Sequence, residues 1–243
     1  MSNLILGYGL LGKELVKQTG WDYKCRKDGF DLLDSDLEEE IIEFIDLPHE
    51  GRVGHASPST IINCISNTDT YCSELKPHWD VNYYGVSKLV DFCNKFNIKL
   101  IHISTDYLYA NSDNIADENT VPVHANNWYS YTKLLADGYV QLKSNNHLII
   151  RCTHKPTPFP YDSAWIDQFG NFEYVDTIAG NIIKLINKDC KGVYNVGGEL
   201  NSMYDLAKKT NKNAKPVLKP TLIPGNTTMD ISKMKKELCK IIG

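Results

Sequence analysis

The chain has 243 residues, 42% of them hydrophobic and 23% charged, with a formal net charge of -4 and an isoelectric point near 6.0. That length holds one large domain, or a domain with a small appendage, and the acidic balance argues against nucleic acid as a main partner. No run reaches the roughly eighteen apolar residues of a membrane span, residues 1–7 lack the basic leader of a signal peptide, and the seven cysteines at 25, 64, 72, 93, 152, 190 and 239 contain no Cys-x-x-Cys pair; the expectation is a cytoplasmic protein with free thiols, no membrane association and no metal.

Taken in order, the chain opens with Leu4-Ile5-Leu6 and then Gly7-Tyr8-Gly9-Leu10-Leu11-Gly12, followed by an amphipathic stretch from Lys13. A strand, a Gly-x-Gly-x-x-Gly turn and a helix in that order read as a dinucleotide site. Missing side chains let the backbone approach a pyrophosphate, whose charge the helix N-terminus favours. Tyr23-Lys24-Cys25 reads as the second strand, and Arg26-Lys27 follow where an acid would bind a ribose 2′-hydroxyl, which suits the 2′-phosphate of NADP. Asp31-Leu32-Leu33-Asp34 is expected to be a brief strand with Asp34 facing the adenine. Residues 36–45, with acids in the first turn and apolar residues at helical spacing, predict a covering helix.

Residues 48–58 read as a loop whose His49 and His55 are surface groups. Thr60-Ile61-Ile62-Asn63-Cys64-Ile65 predicts a buried parallel strand with Asn63, Cys64 and Ile65 at its cofactor end. A helix is expected from Asp80-Val81-Asn82 to about Phe96, a strand over 99–104 with Thr105 at its carboxyl end, and a helix over 128–142. Tyr129 and Lys133 lie one turn apart on that helix, so an ammonium near the phenol should lower the phenol's pKa toward a useful proton donor, with the Thr105 hydroxyl reaching the same oxygen. Residues 148–152 form a further strand and 153–170, rich in Pro and aromatics, a loop able to close over a substrate. A helix over 175–186, a strand and turn over 192–198, a helix from an N-capping Ser202, an extended 216–224 and a basic helix over 232–241 complete the reading. Alternating strands and helices imply an α/β fold, a doubly wound parallel (Rossmann) sheet with a small C-terminal substrate-binding lobe. The NADP-binding core is assigned to 1–152, and a lobe interleaved with returning core elements to 153–243.

The glycine turn, Asn63-Cys64-Ile65, Val81-Asn82-Tyr83-Tyr84-Gly85, Ser104-Thr105-Asp106-Tyr107, Tyr129-Ser130-Tyr131-Thr132-Lys133 and Val193-Tyr194-Asn195-Val196-Gly197-Gly198 come in the order seen in extended short-chain dehydrogenases. Over nearly its whole length the chain resembles the dTDP-4-dehydrorhamnose reductase family. It is also similar to plant UDP-4-keto-rhamnose epimerase/reductases, through Met229-Asp230-Ile231-Ser232-Lys233. The resemblance implies a reductase using NADPH, with NAD an alternative, on a 4-keto-6-deoxy nucleotide sugar. Thr105, Tyr129 and Lys133 would be catalytic. Asn82, Thr105, Asp106 and Tyr107 would meet the substrate, Asn82 also supporting the proton path. A homodimer is compatible with this reading.

Three departures stand against the family pattern. Only Tyr8 separates the first two glycines, Cys152-Thr153-His154 replaces a stretch in which bacterial reductases often carry Trp, and the segment from there to Val175 is short. An epimerase or bifunctional epimerase/reductase is the alternative enzyme, with Cys72 as its acid–base residue, and a non-catalytic NADP-binding regulatory subunit is the alternative outside catalysis.

Overall fold

The inner strands of the central sheet divide their side chains between two cores, and this makes the architecture doubly wound. A computed structural model describes residues 3–34, 37–42, 60–121 and 127–240. The sheet consists of β1 (Asn3–Leu6), β2 (Asp22–Lys24), β3 (Thr60–Asn63), β4 (Lys99–Thr105), β5 (His147–Cys152) and β8 (Gly192–Val196), in the order β2-β1-β3-β4-β5-β8. All its pairings are parallel. Leu4, Leu6, Ile61, Leu100 and Ile149 point to one face, where they pack with α2 (Leu37–Ile42), α4 (Gly85–Lys95) and α5 (Trp128–Lys143). Ile5, Ile62, Ile101, Leu148 and Ile150 point to the other, against α1 (Leu10–Thr19), α6 (Val175–Asn187) and α8 (Ser232–Cys239). Continuous β-branched and leucine runs are what a strand buried on both faces requires.

The strand order reverses at β1, which has β2 on one side and β3 on the other. Ligands of such sheets bind at the carboxyl ends flanking this switch point, here Gly7 after β1 and Cys64 after β3. The C-terminal residues add a second layer. β6 (Ser163–Trp165) pairs with β10 (Lys215–Val217), and β7 (Phe169–Gly170) sits between β9 (Asn201–Ser202) and β11 (Asn226–Thr227). Phe159, Phe172, Tyr174 and Met203 form their own small core with Leu206 and Ala207 of α7 (Met203–Thr210). Ser202 caps α7 as expected, in a reciprocal pair with Asp205.

Four local expectations change. Residues 31–34 form a turn: the Asp31 carboxylate accepts from the Leu33 N–H at 3.0 Å and its carbonyl from the Asp34 N–H at 3.1 Å, so local bonds replace a strand ladder. The helix expected from Asp80 begins earlier, as α3 (Leu75–His78), and passes through a π-helical turn at Trp79–Tyr84 into α4. The 153–170 loop contains β6 and β7, and extended structure after 215 ends at Val217, before a turn in which the Ile223 N–H reaches the Pro220 carbonyl at 3.0 Å. The loop at 48–58, with His49 and His55, lies outside the described residues.

Candidate active site

The glycine turn is built by close packing. Gly7 has φ +98°, a conformation that favours glycine. A Cβ on Gly12 would stand 1.9 Å from the Gly7 carbonyl oxygen, whereas one on Gly9 would meet nothing within 4 Å. Gly12 therefore seats α1 against the turn and Gly9 leaves room above it. No side chain caps α1 and no acid sits in its first turn, so the first-turn amides of Leu10, Leu11 and Gly12 remain as donors to an anion. A cleft of about 1030 Å³ runs from Gly7, Tyr8 and Gly9 to Arg26 and Lys27. Arg26 is paired with Asp31 at 3.1 Å, and Tyr8 stacks on Tyr23 with ring centroids 4.0 Å apart. Asp34 does not line this cleft, though Asp28 and Asp31 do. The Asp34 carbonyl instead accepts from Lys88 Nζ at 2.7 Å. A pyrophosphate over free amides, and cations at the far end, are what these residues fit.

A second cavity, of about 600 Å³, shares Gly9, Cys64, Ser66 and Thr68 with the first. Thr105, Asp106, Tyr107, Tyr129 and Lys133 line it together. Each is placed by a local device. Thr105 ends β4 and its Oγ1 accepts from the Tyr107 N–H at 3.2 Å, turning the chain so that Asp106 and Tyr107 face the cavity. Asn127 caps α5 by accepting from the Ser130 N–H at 2.9 Å, which sets Tyr129 in the first turn.

Asn63 and Asn82 work from behind. The Asn63 Oδ1 accepts from the Ile65 N–H at 3.0 Å. Buried Asn82 accepts from the Asn67 N–H at 2.8 Å and the Ser66 hydroxyl at 3.0 Å, and donates to the Asn67 carbonyl at 2.9 Å. It lines neither cavity and shapes the loop that does. Ile65 lines only the glycine-turn cleft.

The electrostatics differ from the sequence expectation. Burial pushes the Tyr129 phenol up, the Thr105 hydroxyl bonded to it pulls down, and Asp106 pushes further up. The Lys133 Nζ donates to the Ile103 carbonyl at 2.6 Å. Burial pulls Lys133 down to about 8, with Asp137 opposing. Beneath it lies a polar chain with no sequence signature. His102 Nε2 is 3.5 Å from Lys133 Nζ and 3.8 Å from Asp137. Arg151 Nε donates to Asp137 at 2.9 Å, Arg151 also donates to the Tyr109 hydroxyl, and that hydroxyl donates to Asn195 at 3.1 Å. Burial holds His102 well below its usual value, so it is neutral.

The wall also draws on the 153–170 stretch that the sequence suggested could close over a substrate, through His154, Lys155, Tyr161, Trp165 and Gln168, and on Phe172 just beyond it. Buried Ser104 Oγ, Asp106 Oδ2, His154 Nδ1 and Gln168 Oε1 have no hydrogen-bond partner among the described residues, and unpaired polar atoms around one cavity are what a polar ligand would satisfy. Cys72 is outside this wall, although Thr70 and Tyr71 belong to it. Burial pushes the Cys64 thiol up to about 12, so it stays protonated. Among the described residues no three His, Cys, Asp or Glu side chains gather to hold a metal ion, and no helix is long and apolar enough to cross a membrane.

The sequence profile of the RmlD substrate binding domain matches residues 1–154. The chain belongs to the RmlD family. Solved structures similar to this RmlD-family chain include a hypothetical dTDP-4-dehydrorhamnose reductase from Sulfolobus tokodaii, at 22% identity and TM-score 0.75 over 97% of this chain and 94% of that one. Another is the dTDP-4-dehydrorhamnose reductase of Bacillus anthracis in complex with NADP, at 21% identity and TM-score 0.79 over 97% and 93%. A third is the UDP-glucuronic acid 4-epimerase of Bacillus cereus in complex with NAD, at 18% identity and TM-score 0.73 over 98% and 90%. At these identities the likeness concerns the fold that the RmlD-family chain adopts. Comparison with curated proteins finds no match.

Proposed function

We propose that the chain is an NADPH-dependent reductase of a 4-keto-6-deoxy nucleotide sugar. Family membership and the dinucleotide-shaped cleft support an NAD(P)-dependent oxidoreductase acting on a nucleotide sugar, and the observation that carries the finer reading is the meeting of Thr105, Tyr129 and Lys133 on one cavity open to the glycine turn. Residues 1–152 form the NADP-binding core and 153–243 the interleaved substrate lobe.

Gly7 to Gly12, Cys64 and Ile65 would hold the cofactor, with Arg26 and Lys27 favouring NADP over NAD through the 2′-phosphate. When bound, it supplies the hydride. The phenol of Tyr129, kept protonated at neutral pH by burial, gives its proton to the ketone oxygen as the carbonyl becomes a secondary alcohol. The Thr105 hydroxyl binds that oxygen and steadies the phenolate left behind. Lys133 holds the nicotinamide ribose, and Asn82 keeps residues 66 and 67 in place along the proton path. The position of Cys72 outside the cavity leaves stepwise epimerisation without its thiol and favours plain reduction.

Tyr129→Phe tests this. It should lower NADPH oxidation with dTDP- or UDP-4-keto-6-deoxy sugars by roughly 10²–10⁴-fold, the usual contribution of a positioned proton donor, while NADPH binding measured by fluorescence stays intact. Unchanged turnover would exclude Tyr129 as the donor.

A further inference from the structure

Lys155 stands three residues after β5 in the wall of the substrate-side cavity. Its backbone is fixed: the N–H donates to the Glu173 carbonyl at 3.0 Å and the carbonyl accepts from the Val175 N–H at 2.9 Å, tying it to the first turn of α6. A rigid backbone commits the long side chain to the cavity it lines. The side chain is half-buried, and it makes no hydrogen bond or ion pair with a described residue. Two buried cations elsewhere in the fold each hold a carboxylate. Lys99 holds Asp189 at 2.6 Å and Arg151 holds Asp137 at 2.9 Å.

Asp106 acts on Lys155 only through space; burial pulls the lysine's pKa down and the carboxylate pulls it back up. Were neutralising Asp106 the role of this lysine, a direct pair like those two would be expected. Instead Asp106 Oδ2 has no hydrogen-bond partner among the described residues, on the same cavity. An ammonium removed from water without an acceptor carries a desolvation cost that a bound anion offsets. The aromatic wall of Tyr107, Tyr161, Trp165 and Phe172 keeps the local dielectric low, which strengthens such a contact.

We propose that Lys155 is an anion-binding subsite, pairing with a carboxylate or phosphate oxygen of the nucleotide sugar that Thr105 and Tyr129 face. The assignment rests on the nucleotide-sugar reading above. It gives the stretch after β5 a charge-reading role.

The test is calorimetric titration of the full chain, saturated with NADPH, with UDP-glucuronic acid, UDP-glucose and dTDP-glucose. Lys155→Met should weaken binding of whichever ligands carry the recognised anion by about ten- to a hundredfold, the usual worth of a charge-assisted hydrogen bond, and Lys155→Arg should retain most of the affinity. Loss confined to UDP-glucuronic acid makes the sugar carboxylate the partner. Equal loss for every ligand that wild type binds makes it the diphosphate. Lys155→Gln, which keeps a donor of similar reach without the charge, repeats the measurement should the methionine variant fail to fold. Affinities unchanged within about twofold in a folded variant would overturn the subsite and leave the reductase reading standing. A wild-type protein that binds NADPH but none of these nucleotide sugars would overturn both.

Discussion

Asp106 shows how a single residue can be held in tension. Its carboxyl is pushed up from 3.8 to about 6 by burial, against the opposing pull of Thr227, Lys155 and Thr105. A folded-state value above the unfolded one means that the protonated form favours the fold. The contribution is complete below about pH 3.8 and is lost as pH rises through about 6. Asp106→Asn should therefore stabilise the ligand-free protein by roughly 2–3 kcal/mol above pH 7, and the two proteins should converge near pH 4. Urea unfolding at pH 4 and pH 7.5 checks this; an equal difference at both values would show that the carboxyl's ionisation is not the cause. Thr105, Asp106, Tyr107, Tyr129 and Lys133, which the sequence singled out, line one cavity. The phenol is pushed up rather than down as the sequence suggested, because burial, set by the whole cavity wall, acts on it first, and Asp106 adds to it.

The element on which the proposed cofactor site rests is the turn from β1 into α1. Its glycines are not equivalent. Gly12→Ala puts a methyl group where the Gly7 carbonyl already lies, so α1 must move and thermal stability should fall by about 1–3 kcal/mol, with loss of NADPH binding. Gly9→Ala adds its methyl to open space. It should leave the melting temperature unchanged and still weaken NADPH binding, because the space it fills is where the pyrophosphate approaches the backbone. Fluorescence titration and thermal melts of the two variants separate these outcomes, and equal melting temperatures would refute the packing role of Gly12. The turn itself was legible because its determinants lie within a dozen residues. The strand expected at 31–34 failed for a related reason: an aspartate that bonds its own backbone two residues on is a local preference that apolar patterning does not register.

At the scale of the whole molecule, the family match ends at residue 154 but the core does not. Val175, Ile178 and Ile182 of α6, Tyr194 of β8 and Met234 of α8 fill the same core as Ile5, Leu11 and Leu15, and β8 completes the sheet beside β5. The Arg151–Tyr109–Asn195 chain continues to the Ala116 and Asp230 carbonyls, each at 3.2 Å from Asn195 Nδ2. A fragment of residues 1–154 would lose α6, β8 and α8, leaving α1 to cover that face of the sheet alone, and would leave the Tyr109 hydroxyl without Asn195. It should show no cooperative unfolding transition, whereas the full chain should. Circular dichroism melts of both would decide, and a cooperative fragment would mean that the first 154 residues carry their own core.

The doubly wound sheet, the glycine turn and the Tyr129–Lys133 spacing were legible in the sequence, since each follows from local periodicity, from short-range spacing or from the alternation of strands and helices. What the sequence did not disclose is that Asp34 turns away from the glycine-turn cleft, that Asn82 braces the loop at 66–67 and lines neither cavity, and that Lys155 enters the second cavity. Those outcomes depend on bonds to Lys88, Asn67 and Glu173, partners 15 to 54 residues distant along the chain. Nothing in the local pattern at either end specifies such a meeting; only the closing of the sheet and its covering lobe brings the groups together.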